Sequence, residues 1–179
     1  MTNADDSELA AKALRGDRTA FGLLLERHYD TVYRVAVRFT GSPEDGEDIA
    51  QDVCMSLVKK LRSFRGKSKF STWLYSVAVN ACRDHLRKQK SAEALQSNYA
   101  MFRSMDADNQ ADDAERLGWL SEAVAGLEPK LRETAILVLS EDLSHGQAAV
   151  ALGCAETTVS WRMHEVRKKL KAMLESADD

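Results

Sequence analysis

The chain has 179 residues, 44% apolar and 30% charged but only 7% aromatic, with two prolines and nine glycines. That length allows one ordinary domain or two small ones, and so few turn-forming residues favour helices over a turn-rich β-fold. No apolar run is long enough to span a membrane and Met1 to Glu8 is polar and acidic, so no membrane insertion and no secretory leader are expected, and the protein reads as cytoplasmic. Cys54, Cys82 and Cys154 are scattered without a CxxC pair, which offers neither a disulfide framework nor a zinc site and leaves them as reduced packing residues.

The net charge of −3 conceals a strong pattern along the chain. Residues 1–58 carry 6 Lys/Arg against 11 Asp/Glu, whereas residues 59–90 carry 10 basic groups against Asp84 alone. Residues 91–118 swing back to acid, and a second basic cluster (Arg162, Arg167, Lys168, Lys169, Lys171) follows. Two basic patches separated by an acidic, apolar-poor stretch suggest two polyanion-binding modules, the plainer alternative being two solvated helix faces.

Periodicity orders the first half into four amphipathic helices. A short one around Ser7 to Arg15 comes first, then Thr19 to Thr40, with Phe21, Leu24, Leu25, Val32, Val35, Ala36 and Phe39 at helical spacing and Gly41 as a stop. Ser42 and Pro43 cap and open the third, and Glu44, Asp45, Glu47 and Asp48 complement the positive end of its dipole. Ile49, Val53, Leu57 and Leu61 form its buried stripe. A basic loop from Arg62 to Lys69 leads to a fourth helix starting near Ser71 or Thr72, with Leu74, Val77, Ala78 and Ala81 inward.

From about Lys90 to Asp113 the period fades while Ser, Asn, Asp and Gln accumulate. A stretch of that kind is expected to be a flexible linker between two domains. The expected organisation is all-α: a domain over 1–90, a linker over 91–113 and a second domain over 114–179. The second is expected to contain helices at Ala114 to Gly126 and Pro129 to Leu143, then two more.

Those last two carry a local signature. Ser144 to Gln147 matches a capping box, Ala148, Ala149 and Leu152 form a short apolar face, and Gly153 ends the helix. Val159, Met163, Val166 and Leu170 then recur at helical spacing behind Thr157 and Thr158. This is a helix-turn-helix pattern, for which a plain helical hairpin is the alternative. Its exposed front would hold Thr157, Ser160, Trp161, His164 and Glu165, with Arg162, Arg167 and Lys168 near the phosphates of a duplex.

Three strings in the first half carry a resemblance: Asp45 through Val53, Phe64 through Tyr75, and Ala78-Val79-Asn80. Together they resemble the second conserved region of bacterial sigma-70-type factors, in the version of the small extracytoplasmic-function (ECF) group. That group joins two helical domains by a flexible linker, and its second domain ends in a helix-turn-helix like Leu143 to Leu170. The resemblance extends over about residues 10–174.

The resemblance implies a role for each matching position. Asp45, Glu47, Asp48, Gln51 and Asp52 would lie on the face that docks on core RNA polymerase; charge at a helix N-terminus accounts for the first of these but not for Gln51 and Asp52. Arg65, Lys67, Ser68 and Phe70, with Trp73, Tyr75, Asn80, Arg83 and Arg87, would face the −10 promoter element, where melted bases need pocket, stacking surface and cations together. Trp73 at helical spacing is equally compatible with the core. Thr157, Thr158, Ser160, Trp161, Arg162, His164, Glu165, Arg167 and Lys168 would face the −35 major groove. The implied partners are core RNA polymerase, promoter DNA and an anti-sigma factor.

There are departures from the family pattern. Cys54 replaces a usual aromatic, Ala155 replaces the usual serine cap, and Glu165 stands where arginine is common. No catalysis, metal or cofactor is expected: His28, His85, His145 and His164 are dispersed, and no HExxH, GxSxG or glycine-rich phosphate loop occurs. The alternative function is a stand-alone helix-turn-helix regulator.

Overall fold

The computed structural model describes residues 5–96 and 122–177. All regular structure among the described residues is helical. In chain order it comprises α1 (Asp6–Leu14), α2 (Arg18–Thr40), α3 (Pro43–Lys60), a 3-10 turn at Leu61–Ser63, α4 (Phe70–Gln96), a helical stretch at 122–125, α5 (Pro129–Ala135), a π-helical turn at Ile136–Ser140, α6 (His145–Leu152) and α7 (Glu156–Ala177).

The helix boundaries follow from local chemistry. Asp17 accepts the Ala20 N–H at 3.0 Å to start α2, and Gly41, at φ 74°, takes the left-handed conformation that stops it. Ser42 accepts the Asp45 N–H at 3.2 Å with Pro43 in the first turn, as the sequence predicts for α3. Ser144 and Gln147 form the expected reciprocal capping box at the start of α6, and Gly153, at φ 68°, ends it.

Leu24, Val35, Ile49, Val53, Leu57, Leu74 and Val79 build the core between α2, α3 and α4. Leu137, Val159, Met163 and Val166, none of them exposed, are central to the core of the second half. The two cores are continuous because α4 packs against α6, so the halves meet face to face. Cys82 is fully buried on α4, and desolvation pushes its thiol up to about 12, which fits an inert packing role.

Two expected boundaries are corrected. The fourth helix does not end at Lys90 but continues to Gln96, because Ala92, Glu93, Ala94 and Leu95 are strong helix formers even where an apolar stripe is hard to follow. The helix opened by Pro129 does not run to Leu143. After Ala135 it widens into a π-helical turn at Ile136–Ser140, closed by the Glu141 N–H donating to the Ile136 carbonyl at 3.1 Å. Asp142 follows at φ 53°, a left-handed conformation that aspartate tolerates better than most residues. The remainder of the expected linker, and of the helix over 114–126 all but its last residues (122–125 are helical), lies outside the described residues.

Candidate polymerase and promoter surfaces

The acidic face on α3 divides in two. Asp45 turns toward α4, where its Oδ1 lies 3.1 Å from His85 Nε2. Glu47, Asp48, Gln51 and Asp52 point to solvent, with Gln51 Nε2 donating to Glu47 Oε1 at 3.3 Å. The sequence reading missed Met55, which is 74% exposed one turn beyond Asp52 and so shares a helix face with Asp48 and Asp52. Met55 thus stands exposed among these carboxylates, an apolar side chain on a mostly polar face. Cys54, on the same helix, is half-buried, and desolvation raises its thiol pKa.

The basic loop is open to solvent at Arg62, Arg65, Lys67 and Lys69, with Ser68 half-buried. Gly66 turns it at φ 67°. Phe70, expected among the promoter-facing residues, is corrected by its 2% exposure. As the first residue of α4 it packs beneath the loop, its ring 5.2 Å from His28 and 5.5 Å from both Phe64 and Trp73. Trp73 is half-buried and 5.4 Å from Phe64, so it packs in the aromatic cluster while part of its surface stays open to solvent. Asn80 and Arg87 are exposed, the latter 2.9 Å from Asp84.

Tyr75 and Arg83 are engaged by the second half of the chain. The Tyr75 hydroxyl donates to Glu141 Oε2 at 3.0 Å, and burial, reinforced by that carboxylate, pushes its pKa up to about 12. Arg83 makes two parallel bonds to Glu133, Nε to Oε1 at 3.1 Å and Nη2 to Oε2 at 2.7 Å. Glu141 also accepts from Arg34 Nη2 at 2.9 Å and from Arg38. Arg34, Arg38, Glu133 and Glu141 escaped the sequence reading, since the pairs they form join residues 50 to 107 positions apart. The only local hint is that Arg34 and Arg38 stand one turn apart.

On α7 the expected division of faces holds. Val159, Met163 and Val166 are fully buried, while Thr157, Ser160, His164, Arg167 and Lys168 are exposed and Trp161 is 62% exposed. Thr158, Arg162 and Glu165 lie at the margins. His145 Nδ1 lies 2.9 Å from Ser160 Oγ, which ties the first residue of α6 to the front of α7. The start of α7 takes no side-chain cap from Ala155; the Thr158 and Val159 N–H groups donate to the Ala155 carbonyl at 3.0 and 3.3 Å instead.

This arrangement is similar to that of known proteins. The sigma-70 region 2 family matches residues 24–92. The RNA polymerase sigma-H factor of Pseudomonas aeruginosa is 26% identical over 186 residues, spanning 98% of this chain and 96% of that protein. The ECF RNA polymerase sigma factor SigM of Mycobacterium tuberculosis is 32% identical over 171 residues, spanning 94% and 84% respectively. Among solved structures, CnrH in complex with the cytosolic domain of CnrY superposes with a TM-score of 0.71 at 28% identity, covering 96% of this chain and 97% of that one. The sigma factor RpoE of Bartonella quintana, solved with the anti-sigma factor NepR, shares the fold with a TM-score of 0.71 at 24% identity, over 87% of this chain and 96% of that one.

Proposed function

We propose that this chain, which belongs to the ECF group of sigma-70 RNA polymerase sigma factors, binds core polymerase through the outer face of α3, reads the −10 element with the basic loop and α4, and reads the −35 element with α7. The observation that carries the promoter reading is the front of α7: polar, aromatic and basic side chains exposed on a helix whose back is wholly buried against α6 and α5. A helix presented in this way fits the major groove, where its front side chains meet base edges and its flanking cations meet phosphates.

The domain assignment is part of the same proposal. The first domain, expected over 1–90 and extended by α4 to Gln96, supplies the polymerase and −10 surfaces; the second, 114–179, supplies the −35 surface, and the residues between 96 and 114 join them. Polymerase carries out phosphoryl transfer, so the chain itself needs no catalytic group. Its setting is the cytoplasm, where it is held in check by an anti-sigma factor. The solved complex of CnrH with the cytosolic domain of CnrY supports a protein partner, since there a chain similar to this one is bound to another protein.

Runoff transcription tests the proposal. The chain added to core polymerase is expected to initiate at promoters of matching −10 and −35 sequence, and to bind short duplex DNA poorly by itself. Tight unaided binding to a duplex, without transcription on adding core polymerase, would instead identify a stand-alone regulator.

A further inference from the structure

A serine hydroxyl both donates and accepts, and it rotates to suit the edge it meets. On a helix lying in the major groove it therefore tolerates amino and keto bases alike. Ser160, exposed on the front of α7, does not have that freedom, because its Oγ lies 2.9 Å from Nδ1 of His145.

Both partners of this contact are held by the fold. His145 is the first residue of α6 and is itself half-buried. Its turn is fixed by the reciprocal cap, in which the Ser144 N–H donates to Gln147 Oε1 at 2.9 Å and the Gln147 N–H donates to Ser144 Oγ at 3.2 Å. On the other side, Val159 next to Ser160 is fully buried, so rotating α7 to withdraw Ser160 from His145 would expose core.

The direction of the bond decides what Ser160 offers to DNA. The Nε2–H form is the ordinary tautomer of a neutral imidazole, and it leaves a lone pair on Nδ1, the nitrogen nearer the backbone. The first turn of α6 is the positive end of its dipole, which favours a lone pair at that nitrogen. Ser160 then donates its one proton to His145 and turns only lone pairs toward the groove. Such an oxygen accepts from adenine N6 or cytosine N4, and it has nothing to give to thymine O4 or guanine O6.

We propose that His145 is a positioning residue for promoter reading: by accepting the Ser160 hydroxyl it converts a permissive side chain into an acceptor selective for amino bases at one −35 position. The inference rests on the assignment of α7 as the −35 reader. It gives α6 a part in sequence choice that needs no contact between His145 and a base.

The test uses the full chain with core polymerase and a promoter library randomised over the −35 element, with transcripts counted by sequence. The wild type is expected to favour adenine or cytosine over guanine or thymine at one position by about fivefold, the size of one net hydrogen bond. His145→Phe keeps a ring but has no nitrogen; that preference should disappear while preferences at the other positions stay. Ser160→Ala should have the same effect, and the double variant should go no further than either single one, because the two side chains act as one group. Thermal melting followed by circular dichroism identifies a variant that has failed to fold, and Ser160→Ala, at an exposed position, carries the test if His145→Phe does so. A loss of transcription spread evenly over all −35 sequences for His145→Phe would make His145 a phosphate contact and overturn the proposal. A keto preference lost with Ser160, or wild-type preferences that none of the variants moves, would overturn it as well. A wild type that initiates without any preference in the −35 element overturns the assignment of α7, and the proposal falls with it.

Discussion

Gly46 of α3 lies against Val37 of α2 so closely that a Cβ at position 46 would overlap Val37 Cγ2 and stand 3.1 Å from the Val37 backbone nitrogen. The backbone there is ordinary helix, so the glycine serves close approach of two helices rather than an unusual turn. Gly46→Ala gains helix propensity, yet overpacking should dominate and destabilise the protein by about 1–3 kcal/mol. Thermal denaturation checks this, and adding Val37→Ala should restore part of the loss; an unchanged melting temperature for Gly46→Ala would contradict the packing argument.

Charge reversal on the outer face of α3 should separate docking from folding. Asp48→Lys with Asp52→Lys lies on exposed positions, so circular dichroism is expected to stay native while capture of core polymerase is lost, at a cost of several kcal/mol if these charges meet complementary ones (about 2–5 each). Met55→Ala should weaken capture more modestly. Undiminished capture by the double variant would remove α3 from the polymerase interface.

Trp73 is expected to serve both the fold and the melted strand. Trp73→Ala should lower stability by about 2 kcal/mol by hollowing the cluster of Phe64, Phe70 and His28. Trp73→Phe should keep the fold but open duplex promoters poorly, since stacking an unpaired base is worth about 1–3 kcal/mol. Pre-melted templates should rescue the phenylalanine variant. If they do not, the indole acts only through packing.

Local chemistry was readable in the sequence wherever it acts within one turn of chain. The Ser42 and Ser144 caps, the Gly41 and Gly153 stops, and the buried stripe of Val159, Met163 and Val166 all follow from spacing alone. What escaped has its cause elsewhere in the chain. Phe70 sits at the edge of a basic loop and reads as solvent-facing until His28, 42 positions earlier, is seen to cover it. The Arg34–Glu141 and Arg83–Glu133 pairs are tertiary: each residue alone resembles ordinary helix-surface charge, and no periodicity encodes a contact between halves. The widening at Ile136–Ser140 is equally silent, because its residues are as good in an α-helix as in a π-turn.

Glu165 offers a test of base preference. It lies at the margin of the α7 front, and among the described residues no ion pair joins it to Arg162 or Lys169; Lys169 instead reaches Glu128 at 3.0 Å. A carboxylate near base edges accepts from cytosine N4, whereas arginine donates to guanine O6 and N7. Selection from a −35 library is therefore expected to favour cytosine at one position for the wild type and to shift toward guanine for Glu165→Arg, with a steeper salt dependence for the variant. Identical preferences would make Glu165 an ordinary surface residue.

The π-turn carries one residue more per hydrogen-bonded ring than the helix it extends. That surplus residue determines the azimuth at which the chain leaves α5, because each residue of helix rotates the chain by about 100°. Loss of one position between Ile136 and Ser140 would swing the following carboxylate away from α2 while leaving every side chain on α2 and α4 intact. The contact between the halves is thus sensitive to the length of this turn, whose Ile136 and Leu137 are buried and whose Leu139 is 47% exposed. A deletion in this turn is therefore expected to cost the Glu141 contacts to Arg34 and Tyr75 without changing either partner.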